Sequence, residues 1–399
     1  MYFSINTSYK DFMIFGYSKE ELEKLGAIHT ATEIDQQPRL WMETVRIVEE
    51  LQDKIVEFLK NKVDKDTRII FTGAGSSYHV GNTICPHINR IVNARVESIA
   101  TTDIVSNPMD ILEEDTKTIL VSFARSGNSP ESIGAFQICQ NNIKNITHLV
   151  ITCNKDGNLA KMASEHEENF VILLPEETND LAFAMTSSFS CMFLTGLLFF
   201  DIEHIKENKK IVEIIAHQGT EILKNEWQNV KLLAESKPKR IIYLGSGCFR
   251  ELASELALKN LELTNGKIAT MQEAILAFRH GPKTFINDST LIIVLNSLDD
   301  YTNLYIYDLI KEIHNDVGEQ KIAVMSYLDD NKLADICDKY LTMKGTVVPE
   351  VYACLNYALY GQMLGLFNSI LVGNTPDNPN PDGTVNRVVK GVILHDYNN

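Results

Sequence analysis

Long apolar runs, paired cysteines and an excess of positive charge are all missing from this sequence, and each absence narrows what the chain does. The most apolar stretches, around 191–200 and 357–372, are too short or too polar to cross a bilayer, so both read as helices buried inside a protein. Met1–Gly16 carries Asn6, Thr7 and Ser8 and then Lys10 and Asp11, and so lacks the apolar centre of a secretory leader. The seven cysteines, Cys85, Cys139, Cys153, Cys191, Cys248, Cys337 and Cys354, stand singly with no Cys-x-x-Cys. That is the usage of free thiols in a reducing cytoplasm, not of a disulfide scaffold or a zinc site. Lys and Arg number 37 against 53 Asp and Glu, a formal net charge of −16. Such a surface excludes non-specific binding to nucleic acid or to acidic membranes. An anionic substrate would have to be held by local donors.

What is present is a globular composition, 44% hydrophobic and 23% charged, over 399 residues. That length suits two domains of about 150–180 residues each. The chain also repeats itself. Arg68-Ile69-Ile70-Phe71-Thr72-Gly73-Ala74-Gly75-Ser76-Ser77 returns as Arg240-Ile241-Ile242-Tyr243-Leu244-Gly245-Ser246-Gly247-Cys248-Phe249, 172 residues later. The apolar run Thr118–Phe123 returns at Thr290–Leu295 with the same offset. Leu149–Thr152 and Ala323–Ser326 form a third pair, each followed by a turn and Leu-Ala. Each copy closes with a long apolar helix, 181–200 and 349–371. Three echoes in one order indicate an internal duplication.

Within the first copy, short β-branched runs at 68–72, 95–100, 118–123, 147–152 and 169–174 alternate with helical periods. This predicts an α/β fold: two tandem domains, each a parallel sheet with helices on both faces and ligands at the carboxyl ends of the strands. The expected divisions are an N-terminal extension and helix (1–45), a first domain (46–215), a second (216–373) and a tail (374–399). Residues 17–67 read as helical, and the Asn/Asp/Pro-rich stretch 374–384 as turns.

The sharpest local signal is Ser122–Ser132. An apolar strand runs into Ala124-Arg125-Ser126-Gly127-Asn128-Ser129, and Pro130 suits the first helical position, with Ser129 as N-cap. Backbone amides, two hydroxyls and a helix N-terminus converging on one point make a phosphate site. In the second copy the loop reads Asn296-Ser297-Leu298-Asp299-Asp300, whose carboxylates would repel a phosphate. Gly73-Ala74-Gly75-Ser76-Ser77-Tyr78 tempts a dinucleotide reading, with Glu97 about 20 residues on. Tyr78 at the third glycine position argues against it, and two serines after Gly-x-Gly suit a sugar or one phosphate better. Glu255, Lys259 and Glu262 share one face of a helix, read from spacing alone as a solvated salt-bridge stripe or as a carboxylate base with its lysine. Arg279-His280-Gly281-Pro282 ends a further helix-like segment.

On these residues the chain resembles the double sugar-isomerase-domain (SIS) enzymes, the group holding the isomerase half of glucosamine-6-phosphate synthase. It is most similar to the AgaS-type family of tagatose-6-phosphate ketose/aldose isomerases or galactosamine-6-phosphate deaminases. The motifs are Thr30–Ile34 with Gln36-Gln37-Pro38, Thr72–Ser77, Ser122–Ser132, Ala184–Phe189, Phe278–Pro282 and Gly383–Gly391. The resemblance implies a flavodoxin-like sheet in each domain and no cofactor or metal. It implies substrate binding by Gly75, Ser76, Ser77, Arg125, Ser126, Gly127, Asn128, Ser129, Thr186 and Ser187. It makes Glu262 the proton-shuttling carboxylate, Lys259 its neighbour, His280 a ring-opening group reaching in from a second subunit, and Lys390 a tail lysine on the open-chain sugar. A homodimer at least follows, with a phosphorylated amino sugar or ketohexose as ligand.

The synthase's Ser-Gln-Ser-Gly loop reads Ala124-Arg125-Ser126-Gly127 here, one hydroxyl lost and one cation gained, so Arg125 is expected to strengthen phosphate binding or replace a sugar contact. Only about 65 residues precede the first strand, too few for a glutaminase domain. Ammonia release or simple isomerisation is then expected in place of amination from glutamine. A deglycase and a non-catalytic sugar-phosphate sensor are the competing readings.

Overall fold

The first strand of either sheet in chain order is buried on both faces, and the reason is visible in its composition. Ile69, Ile70 and Phe71, like Ile241, Ile242 and Tyr243, offer no polar face to solvent, so each strand must be central in a covered sheet. The structure, a computed structural model of the chain, describes residues 13–397. The expected lack of a leader core in Met1–Gly16 falls mostly outside them.

A hairpin, β1 (Met13–Ile14) and β2 (Tyr17–Ser18), leads into helices α1 (Lys19–Leu25), α2 (Ile28–Asp35), α3 (Gln37–Glu50) and α4 (Gln52–Lys62). Ser18 opens α1 in a reciprocal capping bond with Glu21. The first sheet and its helices follow: β3 (Arg68–Thr72), α5 (Ser76–Ile91), β4 (Arg95–Ser98), α6 (Thr101–Ser106), β5 (Thr118–Ala124), α7 (Pro130–Asn142), β6 (Ile146–Thr152), α8 (Asn158–Ser164), β7 (Phe170–Leu173) and α9 (Ser187–Phe200). Helices α10 (Ile205–Asn225) and α11 (Trp227–Glu235) lead to the second: β8 (Arg240–Gly245), α12 (Cys248–Leu263), β9 (Ala269–Ala274), β10 (Thr290–Leu295), α13 (Asp300–Asn315), β11 (Lys321–Ser326), α14 (Asn331–Ala334), β12 (Lys339–Thr342) and α15 (Glu350–Leu371).

Both sheets have five parallel strands in the same order, β4-β3-β5-β6-β7 and β9-β8-β10-β11-β12. The duplication reaches the register: Arg68 pairs with Thr118, and Arg240 with Thr290. In each sheet the chain leaves its first strand to one side and returns on the other. The switch points therefore lie beyond β3/β5 and β8/β10. Gly73–Ser77 and Arg125–Ser129 sit at the first of these.

Helices α9 and α15 are buried over almost their whole length, which explains their apolar composition without an amphipathic face. Among the described residues no single helix is long and apolar enough to cross a membrane. The first of the two closing helices starts at Ser187, not at 181. Residues 181–186 are held in an irregular segment by carboxylates described below. All seven cysteines are free thiols. The two halves meet through α5 and α12, which cross antiparallel: Gly75 faces Leu258, while seven residues further on Asn82 donates to Glu251. Site chemistry from both halves is thereby brought to one seam.

Candidate active site

Each half opens its first helix with the same backbone device. Gly75 and Gly247 adopt φ 57° with ψ −127° and −132°, a region open to glycine and strained for any residue with a Cβ. Gly73 and Gly245 lie so close to the following turn that a Cβ would come within 2.5 Å of the backbone of Ser77 or Phe249. The turn places Ser76 and Ser77, both buried, at the head of α5; Ser77 contacts Met185 through its hydroxyl. Glu97, the decoy for a ribose carboxylate, is bonded to Arg68 at 2.6 Å and is unavailable for that role.

After β5 the chain turns through Gly127 at φ 64°. The loop is pinned from below: Asn154 Nδ2 donates to the Ser126 carbonyl at 2.9 Å, the Leu159 amide to the Gly127 carbonyl at 3.0 Å, and the Asn158 amide to Asn128 Oδ1 at 3.0 Å. The amides of Gly127 and Ser129 have no acceptor among the described residues. Ser129 holds the N-cap position with Pro130 at the first turn, as its sequence predicts. Its hydroxyl does not cap the helix, however. It bonds to Ser132 Oγ at 2.8 Å; Pro130 has no amide hydrogen and the amides of Ser132 and Ile133 donate to the Ser129 carbonyl, so in this first turn the Glu131 amide alone has no acceptor among the described residues.

The stripe on α12 is not a solvated one. Glu255 is fully buried and Lys259 is 1% exposed, while Glu262, at the end of the helix, keeps 24% of its side chain accessible. Lys259 Nζ donates to Glu262 Oε2 at 2.5 Å and stands 3.5 Å from Glu255 Oε1. Leu252, Ala253, Leu256, Ala257 and Leu263 bury the rest of α12, so the charged face has nowhere to go but the seam with α5. Burial pushes the Glu255 carboxyl up to about 7, against the pull of Lys259 and with help from Glu262. Burial draws the Lys259 ammonium down, but Glu255 and Glu262 outweigh it and hold it above its usual range. Across the seam His79 is pushed down to about 4 by burial and by Lys259. The result is a charged lysine presenting a single half-open carboxylate.

Arg125 links this cluster to the loop. It lies within electrostatic range of Glu262 and of Asp180. Its guanidinium, though, is held by main-chain oxygens: Nη1 donates to the carbonyls of Ala182 (3.2 Å) and Phe183 (3.0 Å), and Nη2 to that of Arg387 in the tail (2.9 Å). Thr186 and Ser187 are buried at the head of α9. The Thr186 hydroxyl donates to Asp180 at 3.3 Å, and that of Ser187 to the Glu33 carbonyl at 2.7 Å. The organising residue is Asp180, whose carboxylate accepts the amides of Thr186, Ser187 and Ser188. Sequence reasoning missed it, although an aspartate six residues before a Thr-Ser-Ser helix start is a readable cap signal. Glu33, quoted above only within a motif, accepts the amides of Leu181 and Ala182 at 2.5 and 3.2 Å.

His280 and Lys390 are not brought to Glu262 by any contact within the described residues. Both are exposed, and neither side chain makes a hydrogen bond or ion pair there. In the second half the loop equivalent to Arg125–Ser129 is closed from inside. The Leu298 amide donates to Glu350 Oε1 at 2.8 Å, the Ser297 hydroxyl bonds the same oxygen, and Asp299 caps α13 through the Thr302 amide. An internal carboxylate thus occupies donors that the first half leaves free.

Comparison with known proteins agrees with this architecture. The SIS domain family matches residues 63–201. A D-galactosamine-6-phosphate deaminase AgaS from a Shewanella species is 37% identical over 386 residues, 95% of this chain and 95% of that protein. A solved structure from Clostridium novyi superposes with a TM-score of 0.95 at 43% identity, covering 97% of this chain and all of its own. The Escherichia coli tagatose-6-phosphate ketose/aldose isomerase superposes at 0.86, 34% identical, over 92% of this chain and 96% of that one.

Proposed function

The chain belongs to the AgaS-type family of double SIS-domain proteins, and on that premise we propose that it is an enzyme converting galactosamine 6-phosphate and water to tagatose 6-phosphate and ammonia. The observation that carries this reading is the Glu262 carboxylate, held by a buried lysine at the seam beside the open loop of the first half.

The phosphate docks on the free amides of Gly127 and Ser129 and the hydroxyls of Ser126 and Ser129, with Ser76 and Ser77 across the switch point. In the open-chain aldose, Glu262 takes the proton from C2. The resulting enolamine takes the proton back at C1; O1 gains a proton and becomes a hydroxyl while the C2 nitrogen gives one up, so that C2 becomes an imine. Water adds to the imine carbon and ammonia leaves. A positioned acid/base of this kind contributes on the order of 10²–10⁴-fold in rate. Lys259 holds the Glu262 carboxylate in place through its 2.5 Å bond. A C2 hydroxyl in place of the amine would give plain aldose–ketose isomerisation by the same steps.

His280 opens the pyranose ring from a second copy of the chain, which makes the working unit at least a homodimer; its exposed, unbonded ring supports that role. Lys390, exposed on the tail, contacts the open-chain sugar. The test is a purified-protein assay over galactosamine 6-phosphate, glucosamine 6-phosphate and tagatose 6-phosphate, reading ammonia and ketose together. Ammonia release fastest from galactosamine 6-phosphate is expected; no ammonia from either amino sugar would overturn the deaminase reading.

A further inference from the structure

Arg125 stands in the loop that the sequence marks for phosphate, yet its donors point elsewhere. It is 7% exposed, and two of its three nitrogens are bonded to the carbonyls of Ala182, Phe183 and Arg387. Recognition of a phosphate by arginine draws on the planar fork of the guanidinium. Here both Nη atoms already donate to main chain, so the end-on fork is taken.

The bond to Arg387 is half of a reciprocal lacing. Arg387 Nε donates back to the Asp180 carbonyl at 2.7 Å and its Nη2 to Asn179 Oδ1 at 2.9 Å. Segment 179–183 is itself fixed, by the Glu33 carboxylate on the amides of Leu181 and Ala182 and by Asp180 at the head of α9. The tail is therefore tied to a rigid ledge at Arg387. It is tied again at Leu394, which packs on Gly134 of α7: a Cβ there would meet Leu394 Cδ2 at 2.9 Å. Lys390 lies between these two anchors. Three residues of chain reach at most about 10 Å, so the Arg387 anchor sets where that lysine stands.

We infer that Arg125 is a positioning residue, one that seats the C-terminal tail across the 179–183 ledge and so places Lys390, instead of binding the substrate phosphate. The inference rests on the functional reading above for Lys390, but the tail anchorage can be measured without any turnover.

The experiment compares Arg125→Gln, Arg387→Ala, Lys390→Ala and the Arg125→Gln/Lys390→Ala double variant. Turnover of galactosamine 6-phosphate, the thermal shift produced by inorganic phosphate, and the rate of tryptic cleavage after Lys390 (in variants that keep it) are read on each. Expected for Arg125→Gln is a kcat loss on the order of 10²-fold, the scale of an approximately 1 Å misplacement. The apparent phosphate affinity should stay within about twofold, cleavage after Lys390 should accelerate, and the double variant should be no slower than the worse single one. Non-additivity is the readout that a general loss of structure would not produce. Arg387→Ala, on a half-buried tail residue, should repeat the cleavage and kcat effects if Arg125→Gln does not fold. A phosphate affinity weakened tenfold or more with unchanged tail cleavage would overturn the inference. Absent turnover in the wild type would instead fault the functional reading, leaving cleavage and phosphate binding to decide the role of Arg125.

Discussion

Lys259 donates to Glu262 at 2.5 Å from inside the protein, a side chain 1% exposed holding one that is 24% exposed. The lysine is thus a fixed part of the interior and the glutamate its open end. Replacing Glu262 with Gln keeps the volume and removes the base. Turnover should fall on the order of 10²–10⁴-fold while the inorganic-phosphate thermal shift is retained. Wild-type turnover in this variant would refute the assignment.

Removing Lys259 acts differently. Lys259→Met leaves Glu255 and Glu262 facing each other with no cation between them. Breaking a buried pair from one side costs about 3–5 kcal/mol, which urea unfolding would show as a lower midpoint. Adding Glu255→Leu should recover part of that stability and none of the activity.

The two switch points should respond unequally. Ser126→Ala and Ser129→Ala are expected to raise KM for sugar phosphates about 10- to 100-fold each, each removing one hydrogen bond to a charged group worth about 1.5–3 kcal/mol. Ser297→Ala, in the half whose loop is filled by Glu350, should leave KM unchanged and register only in thermal stability.

Glu33 gives the protein a pH signature. Burial and the nearby Asp180 push its carboxyl up to about 8, against the amides of Leu181 and Ala182. A raised carboxyl favours the folded state in its protonated form. Its contribution is complete below the unfolded value of 4.5 and is lost as pH rises toward 8. The thermal midpoint should therefore fall across that window, and Glu33→Gln, whose amide oxygen can accept the same amides, should flatten the fall. An unchanged slope would refute this account.

If His280 serves the site of a second copy, inactive chains can repair each other. Co-expressed Glu262→Gln and His280→Ala chains should yield mixed dimers with activity well above either homodimer, because one of the two sites carries both intact groups. A strictly monomeric, fully active protein in gel filtration would exclude the shared site.

The sheets were legible because strands such as Thr118–Ala124 are continuous apolar runs, and the repeat offset tied the two halves together without any structure. The boundary of α9 was not: 181–186 is apolar enough to continue the helix, and it is held irregular by the adjacent Asp180 together with Glu33, which reaches in from α2. For α12 the spacing of Glu255, Lys259 and Glu262 is the same whether the face meets water or another helix. What decides is α5, more than 150 residues earlier. The main-chain partners of Arg125 were hidden for the same reason. Its partner carbonyl at Arg387 is 262 residues away, so a loop that looks like a phosphate cradle by composition hides a cation turned toward the tail.

The antiparallel crossing of α5 and α12 has a further consequence for how such a site can arise. Two identical half-length chains meeting through this face would form a two-fold dimer, and any substitution would appear at both switch points together. A glutamate filling one loop would fill the other, and a lysine–carboxylate cluster on one crossing helix would confront its own copy. Joining the halves into one chain removes that constraint. Symmetry is kept where packing needs it, at the glycines and strand order, and is broken where chemistry does, with Ser187 heading one closing helix and Glu350 the other.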